Sequence, residues 1–268
     1  MTALTPILSP REVHGRKQIG IWVTLAFSAG CVNAIALAAC QRFVTHVTGT
    51  LTLLGTDHTD LWLVLEYACV LGCFVLGAMA SVVLIDGRRL RHREPWPLAP
   101  LGIVAAILFG TAIAGALNVF GPFGRTVETP GDFVLLSVLG FAMGLQNASI
   151  ATTTGMIVRT THMTGPVTDF AVALATALSG GESTVVEAAR QSAKIRLWKI
   201  LAFATGALVG VIAARSFEYG AFLLPSGTTL LAATWLHRSL GEARAMRARR
   251  VEPSSPPPVA ERADASAE

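Results

Sequence analysis

The chain has 268 residues, of which 52% are apolar and 14% are charged. This balance excludes an ordinary soluble enzyme and is typical of membrane proteins. The formal net charge of +4 is compatible with a nucleic-acid partner, but the basic residues cluster beside apolar segments. We therefore expect no nucleic-acid binding, and we interpret the charge as a signal of membrane orientation.

Six apolar segments are long enough to cross a bilayer core, which needs about 20 residues of helix. They lie at 19–39, 61–85, 98–120, 133–151, 197–214 and 217–236. The first follows the basic stretch REVHGRK. It is longer than a signal-peptide core, and LAACQRF is a poor cleavage site, so we interpret it as a membrane helix.

Lysine and arginine residues concentrate on one side of these spans. They precede the first span, separate the second from the third, precede the fifth and follow the sixth, whereas the other side has Arg42, Arg125 and Arg215. The positive-inside rule then predicts that both termini are cytoplasmic. The predicted divisions are a cytoplasmic segment (1–18), a first membrane repeat (19–120), a second membrane repeat (130–237) and a disordered cytoplasmic tail (238–268).

Three motifs recur in the same order in the two halves. AGCVNAIALA (29–38) matches MGLQNASIAT (143–152), THVTGT (45–50) matches THMTGP (161–166), and FVLGAM (74–79) matches FATGAL (203–208). Each half contains three spans, an odd number, so the second half must enter the membrane from the opposite side. The halves are therefore predicted to be inverted repeats, which are typical of secondary transporters.

In each half, a polar segment precedes a short apolar helix. The segments QRFVTHVTG and TTTGMIVRTTHMTG are too polar to face lipid, so they must lie inside the protein or line a wet cavity. We predict two re-entrant hairpins that meet near the membrane centre. The fold class is thus an all-α integral membrane protein, with six transmembrane helices as two inverted three-span repeats and two re-entrant half-helix hairpins.

The short helices would direct free backbone N–H groups at the membrane centre, which favours an anionic or strongly accepting ligand. Polar residues around the two hairpins are the candidates for substrate binding. They are Asn33, Thr45, Thr48, Gly49, Thr50, Gln146, Asn147, Thr161, Thr164 and Gly165. For the three amides, hydrogen bonding between helices is an open alternative.

Asp169 is a candidate proton-coupling group, because an intramembrane carboxylate is costly and marks function by default. The alternative is a hydrated acid near a helix start. His46 and His162 are further proton-coupling candidates; their spacing does not fit a metal site, and we predict no metal and no cofactor. Glu66 is expected to extend to the outer interface, with a functional role as the alternative.

The same anchors carry a family resemblance. In SAGCVNAIAL, FVTHVTGTLTLLG, GFAMGLQNASI and VRTTHMTGPVTDFAVALA the chain resembles the bacterial YoaK family of integral membrane proteins, over about 19–236. Family members usually have asparagine at the positions of His46 and Thr50, so the chain departs from the family there. The resemblance implies a multi-pass protein of the bacterial cytoplasmic (inner) membrane and names no substrate.

These patterns together predict a proton-coupled permease for a small polar or anionic solute, embedded in the lipid bilayer. A non-transporting membrane scaffold or sensor is the alternative. An enzyme is not expected, because the chain lacks H-E-x-x-H and G-x-S-x-G motifs and has no second acid to join Asp169. Gly206 and Gly210 form G-x-x-x-G, which suits packing within the chain or in a homo-oligomer.

Overall fold

The computed structural model describes residues 6–125, 130–161 and 163–251, with the side chains of 10–11 and 243–251 left aside. These residues form helices and short connections, and none of them lies in a strand. The helices are α1 (Pro10–Val13), α2 (Arg16–Cys40), α3 (Val47–Thr56), α4 (Leu61–Val82), α5 (Arg88–Leu90), α6 (Ala99–Ala116), α7 (Pro130–Thr153), α8 (Thr164–Leu178), α9 (Ser183–Phe217) and α10 (Leu223–Val251).

Five helical runs in the described residues are long and apolar enough to cross a membrane, which indicates a multi-pass membrane protein. They are Arg16–Cys40, Leu61–Leu90, Ala99–Ala116, Pro130–Thr153 and Ser183–Glu242. The sequence predicted six separate spans. The difference arises in the last run, where 60 residues form one continuous helical stretch that includes the fifth and sixth predicted spans.

Helix α9 runs in the same direction as α2 and packs closely against it. Gly206 lies against Phe27, and Gly210, one turn further along α9, lies against Cys31, one turn further along α2. Contacts that advance together along both helices require a parallel arrangement.

Helix α10 runs in the opposite direction along α2. The Gln18 side chain donates to the Ser239 hydroxyl at 2.6 Å, and the Ser28 and Thr229 hydroxyls lie 2.8 Å apart. The chain therefore reverses direction between α9 and α10, within the 3-10 segment Glu218–Phe222.

Glycines allow two helix pairs, α2 with α9 and α4 with α7, to approach backbone to backbone. A Cβ atom at any of these glycines would overlap a carbonyl oxygen of the partner helix. The contacts are Gly30 with Phe203, Gly206 with Phe27, Gly144 with Phe74 and Gly77 with Phe141. In the alignment of the sequence repeats, the contacts of one pair correspond to those of the other.

Apolar side chains cover the outward faces of the long helices. Leu65, Leu76 and Met79 on α4, like Leu208 and Ile212 on α9, are exposed. Such a surface is unfavourable in water and matches the hydrocarbon of a bilayer, so these helices contact lipid.

Helices α3 and α8, with 10 and 15 residues, are too short to cross a bilayer core. Each follows a non-helical segment at the end of a long helix. Gln41 adopts a left-handed conformation (φ 56°) and ends α2, while Gly155 and Met156 (φ 61° and 68°) turn the chain after α7. These turns start the two segments that lead to the cavity described below.

The end of the chain differs from the sequence prediction. We expected a disordered tail from residue 238, but α10 continues without a break to Val251. Residues 252–268 lie outside the described residues. The charged stretch after the last apolar residues is compatible with helix because it contains no proline before residue 253.

Candidate functional site

Helices α3 and α8 begin at one shared cavity of about 300 Å³, which we call the central cavity. His46 is the N-cap of α3 and Met163 that of α8. The lining combines both halves of the chain: Asn33, Phe43, Thr45, His46, Val47, Thr48, Thr161, Met163, Thr164 and Phe203. Five of the ten predicted binding residues, Asn33, Thr45, Thr48, Thr161 and Thr164, are thus brought together.

Asn33 positions the segment that leads into α3. Its Oδ1 accepts from the backbone N–H groups of Val44 and Thr45 at 3.2 Å each, and from the Thr45 hydroxyl at 3.1 Å. An extended segment has no helical partners for its N–H groups, so a side-chain acceptor must satisfy them. Asn33 thereby fixes Thr45 at the cavity wall.

Gln146 is buried, and it connects helices instead of lining the central cavity. Its Nε2 donates to the Leu25 carbonyl at 3.2 Å and to the Thr160 hydroxyl at 3.4 Å, so it links α7 to α2 and to the segment before α8. The described lining of the central cavity includes neither Gln146 nor Asn147. This geometry favours the interhelical alternative for Gln146, and solute contact by either amide stays a prediction.

Gly49 and Thr50 line a second cavity of about 370 Å³, which we call the first-half pocket. The Thr50 hydroxyl donates to the His46 carbonyl at 3.1 Å. The His46 ring packs so closely on Gly49 that a Cβ atom there would overlap it. The lining is Gln41, Arg42, Phe43, His46, Gly49, Thr50, Thr52, Leu53, Glu66, Tyr67, Val70 and Leu136. Phe43 and His46 line both this pocket and the central cavity.

An ion pair between Arg42 and Glu66 lies in the first-half pocket. Arg42 Nε is 3.8 Å from Glu66 Oε1, and the guanidinium carbon is 5.6 Å from the centre of the Tyr67 ring. The Glu66 side chain is 1% exposed, so the expectation that it extends to the interface is wrong. Its position on the α4 face that packs toward the pocket, rather than toward lipid, is the reason.

The polar atoms of this pair are incompletely satisfied. Among the described residues, neither Glu66 carboxylate oxygen nor Arg42 Nε has a hydrogen-bond partner, although all three atoms are buried. Buried polar atoms are normally hydrogen-bonded, and exceptions are often binding or functional positions. At 3.8 Å the charge pair is too long for a hydrogen bond, so these three atoms retain unused hydrogen-bonding capacity.

Gly165 and Asp169 line a third cavity, of about 510 Å³, which we call the second-half pocket. Asp169 Oδ2 lies 3.3 Å from Arg196 Nε, and the two side chains are 57% and 31% exposed. Lys199, buried beside them, donates to the Arg159 carbonyl at 2.5 Å. The lining is Val13, His14, Met156, Ile157, Val158, Arg159, Gly165, Pro166, Asp169, Ser192, Ile195, Arg196 and Lys199.

The three proton-coupling candidates have different positions. His46 lies between the central cavity and the first-half pocket. Asp169 is more than half exposed and paired with Arg196, which favours the alternative of a hydrated acid, and its coupling role stays a prediction. His162 lies outside the described residues.

Sequence reasoning missed several residues that the fold brings to these cavities. Phe203 lines the central cavity, and its signal was its place in the repeated F-x-x-G-A motif. Arg42 and Glu66 were noticed as charges beside or within apolar segments, but they belong to different elements. Sequence spacing alone gave no reason to pair them.

The comparisons with known proteins identify a family and no activity. No curated protein and no solved structure matches the chain. A model of a family described as a protein of unknown function, DUF1275, matches residues 21–235, which include most of α2, all of α3 to α9 and the first part of α10. The YoaK resemblance is consistent with this match. The chain belongs to the DUF1275 family.

Proposed function

We propose that the protein is a six-span permease that moves a small polar or anionic solute across the membrane through the central cavity. The observation that carries the proposal is the start of two short helices at one cavity, with threonines from both halves in its wall. Cavities at the meeting point of half-helices are the usual substrate sites of transporters with inverted repeats.

The helix starts give the cavity its chemistry. The first N–H groups of an α-helix have no intrahelical acceptor, and each N-terminus carries roughly half a positive charge. Thr48 and Thr164 stand in the first turns of α3 and α8 and line the cavity. Two N-termini and several hydroxyls favour a solute that accepts hydrogen bonds, and an anion most of all.

The packing of the two halves supports an inverted repeat. The glycine contacts of α2 with α9 correspond to those of α7 with α4. Opposite directions of α9 and α10 along α2 fit two separate crossings in the last helical run. With both termini cytoplasmic, as the basic residues favour, the first-half pocket opens to the outer side and the second-half pocket to the cytoplasmic side.

The proposal is tested by solute-driven swelling of proteoliposomes, with urea, glycerol, sodium nitrate and sodium pyruvate as probes. We expect at least one probe to enter faster than it enters protein-free liposomes. Thr48→Val and Thr164→Val should each slow that entry several-fold, because a lost hydrogen bond costs about 0.5–1.5 kcal/mol. Thr176→Val is the matched control, since this α8 threonine lies away from the cavity and bonds the Val172 carbonyl of its own helix.

Two outcomes would contradict the proposal. The first is an entry rate equal to that of protein-free liposomes for every probe, which would favour the scaffold or sensor alternative. The second is accelerated entry that Thr48→Val and Thr164→Val leave unchanged, which would place the pathway outside the central cavity.

A further inference from the structure

We propose that the first-half pocket binds a small monocarboxylate on Arg42 and that this binding transfers Glu66 from its ion pair to a protonated state. The inference deepens the proposed function, on which it rests for its physiological meaning. It assigns the solute class and places proton coupling at Glu66 instead of Asp169.

The ion pair between Arg42 and Glu66 has unused hydrogen-bonding capacity. Arg42 and Glu66 face each other at 3.8 Å, and in the described part of the chain neither carboxylate oxygen nor Arg42 Nε has a hydrogen-bond partner. Arginine presents a planar fork of donors that matches a carboxylate. The Arg42 side chain is 29% exposed, so part of this fork is accessible from the pocket.

The lining of the first-half pocket indicates which kind of anion would fit there. Apart from the ion pair, the pocket wall exposes mostly apolar surface, from Leu53, Val70, Leu136 and the rings of Phe43 and Tyr67, beside the polar side chains of Gln41, His46, Thr50 and Thr52. A small anion with an apolar end fits such a wall, whereas a doubly charged anion would add a second negative charge beside Glu66, and in the described lining Arg42 is the one lysine or arginine. One guanidinium and three aliphatic side chains therefore favour a monocarboxylate with a short hydrocarbon chain.

Binding of an anion changes the balance of charge between Arg42 and Glu66. An anion that pairs with Arg42 leaves the Glu66 carboxylate buried without its cation, which is a costly state. A proton taken up by one Glu66 oxygen removes that charge and provides an O–H donor for the bound carboxylate. The arginine, the anion and the protonated glutamic acid then have no net charge, so anion binding and proton uptake are linked at one to one.

Other ionisable groups lie near Glu66. Asp132, buried in the first turn of α7, is a second acid in its electrostatic surroundings. The Tyr67 hydroxyl is occupied, because it donates to Asp57 Oδ2 at 2.8 Å. Among the described residues, further ionisable groups close to the pocket on other elements are Cys40 of α2 and His46 before α3.

The pocket adjoins the central cavity of the proposed pathway. Phe43 and His46 form a common wall with the central cavity, and their rings are in edge-to-face contact at 5.7 Å. An anion released from Arg42 would next meet the N-termini of α3 and α8. In the proposed permease the solute therefore binds first in the first-half pocket and then enters the central cavity.

The test is isothermal titration of detergent-purified protein with sodium butyrate, at a pH where butyrate is ionised, in buffers of different ionisation enthalpy. The comparison of buffers gives the number of protons taken up per bound butyrate. We expect about one for the wild type and close to zero for Glu66→Gln, which should still bind. Arg42→Gln should weaken binding about tenfold or more, because a charge-assisted pair is lost. Glu187→Gln is the matched control and should retain the proton uptake, because Glu187 is an exposed acid of α9 that accepts a hydrogen bond from Gln191 of the same helix.

Each result separates the inference from the proposed function. Proton uptake that Glu66→Gln leaves unchanged, or butyrate affinity that Arg42→Gln leaves unchanged, would overturn the inference, as would absent butyrate binding. If Arg42→Gln fails to fold, the double variant Arg42→Gln/Glu66→Gln removes both charges and must lose both binding and proton uptake. If butyrate binds with proton uptake in detergent but no solute enters the liposomes, the binding site stands and the permease proposal fails. If another probe enters the liposomes but butyrate does not bind, the permease proposal stands and the binding site fails.

Discussion

The two halves of the molecule agree in their backbone packing and differ in their charges. Gly30 and Gly144 hold the same kind of contact in α2 with α9 and in α7 with α4. The ion pairs beside the hairpins do not correspond. In the first half the acid is on the long helix α4, while in the second half Asp169 is on the short helix α8 and the long helix supplies Arg196.

The comparison separates a packing requirement that both halves meet from charges that differ between them. Both must bring two long helices to backbone contact, which requires glycine at the contact points. The charges are free to differ because they lie outside those contacts. Burial also separates them: Glu66 is 1% exposed and Asp169 is 57% exposed, so a change at Glu66 acts at a buried site and a change at Asp169 at an exposed one.

The largest expected effect comes from Gly30→Val and Gly144→Val, which test the shared packing. Each valine would collide with a carbonyl oxygen of the facing helix, and overpacking costs about 1–3 kcal/mol or more when backbone must move. Both variants should lower the melting temperature of the purified protein by several degrees and reduce the monodisperse yield.

Gly72→Val is the control for these variants, since in the described part of the chain no atom beyond its chain neighbours and its own helix backbone lies within 4 Å of the position where its Cβ would stand. Its melting temperature should stay close to that of the wild type. A strong effect at Gly30 with a weak one at Gly144 would end the equivalence of the two helix pairs.

An intermediate effect is expected for Asn33→Ala, measured against Asn147→Ala at the matching position of the second half. Asn33 Oδ1 accepts three hydrogen bonds, whereas Asn147 Oδ1 has no partner among the described residues. Removal of Asn33 leaves the N–H groups of Val44 and Thr45 unsatisfied, at a cost of about 1–3 kcal/mol. Thermal unfolding should show a clearly larger loss for Asn33→Ala, and equal losses would refute the asymmetry.

The smallest effect is expected for Asp169→Asn. The pair with Arg196 is partly exposed, and exposed pairs contribute about 0–1 kcal/mol, which salt reduces further. The melting temperature should change little, and the difference from the wild type should shrink between low and high salt. A large loss that persists in high salt would show that Asp169 has a structural task beyond this pair.

Much of the fold followed from sequence, and so did part of the site. Each apolar segment corresponds to a helix, because about 20 apolar residues in succession leave the backbone no other way to satisfy its polar groups in lipid. The T-H-x-T-G motifs indicated the two short helices, and Thr48 and Thr164 do line one cavity. Gln146, predicted beside them, instead bonds Leu25 and Thr160, since a helix residue's facing direction depends on packing.

By itself the sequence determined which segments become helices, where the two short helices begin and which motifs the halves share, because these depend on composition and on neighbours along the chain. The tertiary structure alone decided that Arg42 meets Glu66, that Asp169 meets Arg196, and that the first acid is buried while the second is exposed. Burial and charge pairing depend on distances between elements far apart in the chain, and only the packing of α3 and α8 against the long helices sets those distances.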